Sequence, residues 1–418
     1  MGDVASLVRA RRPVALTLAA VGLAALCALA AAAASSRAQV PLPARVRSAL
    51  TIDDGVVVST APRQGAPRRG IVVRGTRLPV RRRVLGTGCE AGAWLEVGAD
   101  AWVCERFVEL SEAAPAGVAQ PETPAGALLP YRYAFVSTDG TRAYARPSDF
   151  EADDYVEAYG EGFGLALTGH TVYDGAGFSR TMRGLWVPED SLRYPRGSEL
   201  AGVLLPEGAP LDLAWVVRPR TTVRGPARRA TRSASRFDVL HVASAERGAL
   251  RLVDGGAVSP RDVARATSSA RPDGVGPTER WVDVDVATQT LVAYEGDRPV
   301  FATLVSTGRA MANHETPLGI HRVWVKLAAS NMNDLEREDV ERNYSIENVP
   351  WVQYFEGSNG FHAAFWHEDF GRRRSHGCVN LSPRDARWLF DFTRPALPPG
   401  WSAVLPTEHD RATVVRVR

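Results

Sequence analysis

Ser375-His376-Gly377-Cys378-Val379-Asn380 places a cysteine two residues after a histidine, with a glycine between them. A second histidine, His362, stands fourteen residues before His376, in Gly360-Phe361-His362-Ala363-Ala364-Phe365-Trp366. Along an extended segment, residues two apart point to one face, so His376 and Cys378 share a side. A cysteine attacks as its thiolate, which requires a lowered pKa or a neighbouring base. His376 and His362 are the available bases, and the spacing lets His362 return on an adjacent strand. Gly377 lets a substrate carbonyl come close to the backbone, and N–H groups around Gly377 and Cys378 are placed to hold an oxyanion. The pattern is one for acyl transfer.

Working outward, the surrounding sequence reads as short strands. Trp281 to Val286 alternates with period two. Gln289 to Tyr294 and Pro299 to Ser306 flank a Glu295-Gly296-Asp297 turn, and Thr316-Pro317-Leu318-Gly319 leads into another strand. Residues 331–349 break this pattern; Leu335 to Arg342 is charged and helix-prone, which predicts an insertion lying over the site as a lid. Ser382 followed by Pro383 predicts a capped helix, and a strand is expected around Trp401 to Leu405.

With these residues in place, segment 280–406 resembles the L,D-transpeptidase catalytic domain (the YkuD-like family), cysteine enzymes of the bacterial cell wall. The resemblance rests on His362, Ser375 to Asn380, Val305-Ser306-Thr307-Gly308, Thr316 to Gly319, Trp366, and Ser382-Pro383 with Ala386-Arg387-Trp388. It implies a β-sandwich-type catalytic domain with short helices and no cofactor or metal. Cys378 would be the nucleophile and His362 the general base, oriented by the Ala363 carbonyl. His376 and Gly377 would support the nucleophile and the oxyanion hole. Ser375, Asn380, Trp366 and Tyr344 would face substrate, with Asn380 standing where Arg is commoner. The implied partners are peptidoglycan stem peptides. The acceptor of the acyl group is left open: an amine of a second stem, water, a D-amino acid or a protein lysine.

The rest of the 418-residue chain is also expected to be mostly β, since 37 Gly and 28 Pro favour short strands and turns over helix bundles. Residues 1–38 carry three early arginines and then an uncharged run from Val14 to Ala34, an exported leader that is either a cleaved signal or a retained inner-membrane anchor. Residues 51–111 hold five short β-type runs. Gly75 to Val80 and Trp94 to Val103 resemble bacterial SH3-like modules of cell-wall proteins. In an oxidising compartment Cys89 and Cys104 are expected to pair, leaving Cys378 as a free thiol. Residues 112–127 read as a linker, 128–265 as one or two further β modules, and 266–279 as a second linker. Ala101 to Val108, Leu185 to Leu192 and Gly256 to Val263 echo one another, which suggests tandem units. The basic run Arg218 to Arg236 reads as a solvated linker before an anionic-polymer site.

The formal net charge of +3 falls near zero once residues 1–38 are set aside, which gives no electrostatic case for nucleic acid. Two other readings compete. His362, His367, His376 and Cys378 are all metal-ligand types and could form a zinc site. Alternatively, the chain could be a non-catalytic wall-binding protein carried by its β modules.

Overall fold

The computed structural model describes residues 39–418 except 91, 226–230, 247, 312 and 334–343. The chain is mostly β, with one α-helix among the described residues. The leader expected over residues 1–38 lies outside them. No described helix is long and apolar enough to cross a membrane.

The period-two run at Trp281 becomes the strand Arg280–Asp285 in a six-stranded sheet. The order is Val203–Leu204, Arg298–Leu304, Thr290–Glu295, Arg280–Asp285, Val414–Val417, Gly319–Arg322. Trp281 faces Tyr294 across the pair, and their rings stack at 4.2 Å, worth about 1 kcal/mol beyond burial. Val414–Val417 lies beyond residue 406, where the sequence reading stopped. It runs parallel to Arg280–Asp285 and is pinned by Arg416 and Arg418, which donate to buried Asp283 at 2.7 and 3.0 Å.

The strand Val325–Asn333 pairs antiparallel with Ser345–Glu356, Met332 facing Ile346 and Asn333 facing Ser345. At 331–333 and 345–349 this corrects the expectation that 331–349 leaves the β pattern: ladder pairing continues there through polar residues that alternation alone did not flag. The proposed lid, Leu335 to Arg342, lies outside the described residues. The hairpin continues into Asn359–Ala363, which pairs in parallel with Val379–Leu381: Phe361 faces Val379, His362 faces Asn380, and Ala363 faces Leu381.

The helix Pro383–Phe392 starts where Ser382 Oγ accepts from Asp385 N–H at 3.3 Å, a cap worth about 1 kcal/mol. Its buried Ala386, Leu389 and Phe390 pack into the core formed by Phe361, Ala363, Val379 and Leu381. The two strands that carry the site are therefore clamped from behind.

Upstream, Cys89 and Cys104 form a disulfide with Cα atoms 5.5 Å apart, closing the region of the Ala93–Gly98 and Ala101–Cys104 hairpin. The strand Arg68–Val72 pairs with Trp401–Val404, so Trp401 and Val404 share a hydrophobic cluster with Val58, Val72, Leu95 and Val103. The approach is close: a Cβ on Gly70 would sit 2.4 Å from the Ala403 carbonyl.

The three sequence echoes share one local form. Ala101–Cys104, Trp186–Pro188 and Ala257–Val258 each lead through a short 3₁₀ turn into a further strand. Arg218 to Arg236 is no solvated linker; Arg220–Arg224 and Thr231–Ser235 form a hairpin with Val223 and Ala234 buried. Charged residues fill its exposed face and mask its alternation. Both segments read as linkers also pack: Gly400 N–H donates to the Val118 carbonyl at 2.7 Å, and Ser269 N–H to Tyr294 Oη at 3.1 Å.

Candidate active site

His362, Ser375, His376, Cys378, Asn380, Trp366 and Tyr344 all line one cleft of about 980 Å³. The parallel pairing of Asn359–Ala363 with Val379–Leu381 brings His362 and Cys378 together across fifteen intervening residues. A second hollow, of about 410 Å³, lies along Glu279, Arg280 and Arg411 and contains neither histidine nor cysteine.

Cys378 is half-buried, and its Sγ lies 3.6 Å from the Ser358 carbonyl. Burial pushes its thiol up to about 11, opposed by a hydrogen bond from the Gly360 backbone. His362 is buried, its ring 5.7 Å from Trp366 and nearly parallel to it. Its Nδ1 lies 3.2 Å from the Ala363 carbonyl. A carbonyl can only accept, so Nδ1 carries the proton and Nε2 keeps the basic lone pair. Burial lowers the His362 pKa to about 4, opposed by the Ala363 carbonyl. At neutral pH the resting pair is thiol and neutral imidazole.

The turn carrying Cys378 is held by short polar links. Ser375 Oγ accepts from Gly377 N–H at 3.1 Å and donates to the Cys378 carbonyl. Thr316 Oγ1 donates to the Gly377 carbonyl at 2.7 Å and accepts from Gly308 N–H at 2.9 Å. Two motifs recognised separately in the sequence, Ser-Thr-Gly and Thr-Pro-Leu-Gly, thus meet at the residue before the cysteine. Gly377 has φ +126°, and a Cβ there would fall 2.1 Å from Asn359 Oδ1. The glycine answers to this backbone and neighbour, where the sequence reading stressed substrate approach. Its N–H is already engaged by Ser375.

His376 packs against His314 (4.5 Å) and Tyr344 (5.3 Å) and is exposed. Asn380 is buried, with its side-chain amide 2.9 Å from His367 Nε2. His367 is thus turned to Asn380, and among the described residues no group of three His, Cys, Asp or Glu could hold a metal ion. Thr316, Ser358, Asn359 and Arg309 are residues of this region to which motif reading assigned no role, and His367, read only as a possible zinc ligand, bonds Asn380. The turn signal Ser358-Asn359-Gly360 just before His362 was the available pointer to two of them.

Residues 279–414 match the family model YkuD, described as the L,D-transpeptidase catalytic domain. No curated protein matches the chain. Among solved structures, an L,D-transpeptidase from Stackebrandtia nassauensis is 26% identical, over 34% of this chain and 57% of that one, at a TM-score of 0.24. An L,D-transpeptidase mutant from Enterococcus faecium is 20% identical over 34% and 50%, at 0.26. L,D-transpeptidase 3 from Mycobacterium tuberculosis, with a faropenem-derived adduct, is 15% identical over 69% and 96%, at 0.27. The chain spans between half and three-fifths of the first two. By the match over residues 279–414, this part of the chain belongs to the L,D-transpeptidase catalytic-domain family.

Proposed function

We propose that the chain is a cysteine-dependent L,D-transpeptidase acting on peptidoglycan stem peptides at the cell envelope. One observation carries the reading: Cys378 and His362 line the same cleft, and the Ala363 carbonyl leaves His362 Nε2 as the basic nitrogen. Cys378 Sγ attacks the carbonyl carbon of the L,D peptide bond of a tetrapeptide stem while His362 takes its proton. The C–S bond forms and an oxyanion develops, for which the Cys378 N–H is the candidate donor, Gly377 N–H being held by Ser375. Collapse breaks the C–N bond, and His362 returns the proton to the departing D-Ala amine. A second stem's amine attacks the thioester and passes a proton to His362. The new C–N bond forms as the C–S bond breaks, and the sulfur regains its proton.

Because the resting thiol is protonated, proton transfer to His362 accompanies attack and no preformed ion pair is required. Ser375, Asn380, Trp366 and Tyr344 line the substrate path, and His376 supports it. The upstream β units, SH3-like in this reading, face the wall of an exported protein.

The test is product analysis by mass spectrometry with a disaccharide-tetrapeptide. A cross-linked dimer that has lost one D-Ala, absent with Cys378→Ala, is the expected result. Tripeptide alone would make water the acceptor. Turnover unchanged in Cys378→Ala would overturn the reading.

A further inference from the structure

The cleft has a wall that the family match does not include. Phe135, Gly162 and Arg193 line it from a β unit that precedes residues 279–414 by more than eighty residues. That unit is fixed against the site. Gly164 pairs with Ile346, Tyr133 Oη donates to the Asn348 carbonyl at 2.7 Å, and Ala166 N–H donates to Glu347 Oε2 at 3.2 Å. The Tyr133 ring stacks on Phe365 at 3.9 Å, inside a buried cluster with Phe135, Ala166, Ile346 and Val349. Phe365 sits three residues after His362, so the contact reaches the catalytic strand's own continuation.

The charge of the cleft is one-sided. Arg193, Arg309, Arg373 and Arg374 line it, and among the described residues no Asp or Glu does. Of the four, Arg374 is paired with Asp369. Arg193 lies on the strand Leu192–Arg193 opposite Phe135, with its guanidinium 5.7 Å from that ring. Arg309 also lines the cleft; its Nε is buried with no hydrogen-bond partner among the described residues, and a terminal nitrogen lies 3.5 Å from His314 Nδ1. Guanidinium groups in a cleft that carry no carboxylate partner focus a positive potential, and their planar fork matches a carboxylate. Asn380, in the cysteine motif itself, is neutral, so positive charge must come from the walls.

We propose that the β unit containing Arg132–Val136 and Leu192–Arg193 builds the second wall of the substrate cleft, where Arg193, lining the same cleft as Arg309, binds a carboxylate of the peptide stem. This rests on the stem-peptide reading above. In the full chain, Arg193→Gln is expected to raise KM for the disaccharide-tetrapeptide about tenfold, with kcat within about twofold. Stems amidated singly at the C-terminal or the side-chain carboxylate identify which group is read. Amidation of that group raises KM of the unmutated protein by a like factor and abolishes the difference made by Arg193→Gln. Arg142→Gln, which removes a charge paired with Asp153 elsewhere on the same unit, controls for net charge. An unchanged KM in Arg193→Gln, or a loss that survives amidation of every carboxylate, overturns the inference. If the unmutated protein turns over no stem, the proposed function fails instead. Binding of the tetrapeptide to Cys378→Ala, with and without Arg193→Gln, then tests the wall alone: a tenfold weaker Kd supports it and an equal Kd overturns it.

Discussion

His367 fixes the orientation of Asn380. Its Nδ1 accepts from Asp369 N–H at 3.1 Å, and its Nε2 lies 2.9 Å from the Asn380 amide. Burial, aided by Arg374, holds the ring neutral, with its pKa lowered to about 4. A neutral imidazole that accepts at Nδ1 must donate at Nε2, so the Asn380 oxygen faces the ring and the NH₂ group takes the other, buried position. The motif asparagine therefore accepts the His367 proton. Asn380→Asp should raise the His367 pKa by more than about one unit, because a carboxylate would then receive the Nε2 proton. Titration of the ring followed by NMR reads this directly; a pKa still near 4 would show that the ring does not donate to residue 380.

The acid limb of kcat/KM should lie near pH 4. His362 accepts a proton only when neutral, and its pKa is lowered to about 4, so activity falls roughly tenfold per unit below that point and is flat above it. In the same free protein, alkylation of Cys378 by iodoacetamide should keep rising with pH towards about 11, where its thiol ionises. An acid limb between pH 6 and 7 would mean that His362 is solvated in solution.

Gly377→Ala should abolish turnover by about a hundredfold or more while lowering stability by about 1–3 kcal/mol. The added methyl meets Asn359 Oδ1 at 2.1 Å, and φ +126° is strained for any side chain. Asn359→Gly in the same chain relieves the first problem and not the second. Partial recovery of thermal stability without recovery of turnover is the expected outcome. Full recovery of both would show that the clash alone mattered.

Thr316→Val keeps the shape of the side chain and removes a hydroxyl that joins Gly308 N–H to the Gly377 carbonyl. Two backbone groups lose a buried partner, which costs about 2–4 kcal/mol in denaturant unfolding. Because the carbonyl belongs to the residue before Cys378, kcat should fall about tenfold or more as well. Thr316→Ser, which keeps the hydroxyl, should recover most of both; failure to do so would place the role in the methyl group.

The residues of the cleft were easier to pick out than the scaffold, for physical reasons. Cys378, His362 and the Ser382 cap are local signals, in which a residue type at a fixed spacing already implies a geometry. The parallel register that sets His362 beside Asn380, and the strand Val414–Val417 between Arg280–Asp285 and Gly319–Arg322, join residues far apart in sequence. No local pattern encodes such pairings. Residues 331–333 and 345–349 show the converse failure: polar composition hid strand pairing that the neighbouring backbone supplied. Arg193 carries no motif at all and becomes visible only when its unit is packed against Ile346 and Phe365.

The raised thiol pKa of Cys378 also bears on how long the side chain survives. Peroxides attack thiolates, so a sulfur held protonated at neutral pH oxidises slowly. Cys89 and Cys104 are bonded to each other, so neither can capture a sulfenic acid formed at Cys378 as an internal disulfide. With no resolving partner among the described residues, oxidation that begins there runs on towards sulfinic acid unless an outside thiol intervenes. The same burial that keeps the Cys378 thiol protonated thus doubles as its protection against corrosion.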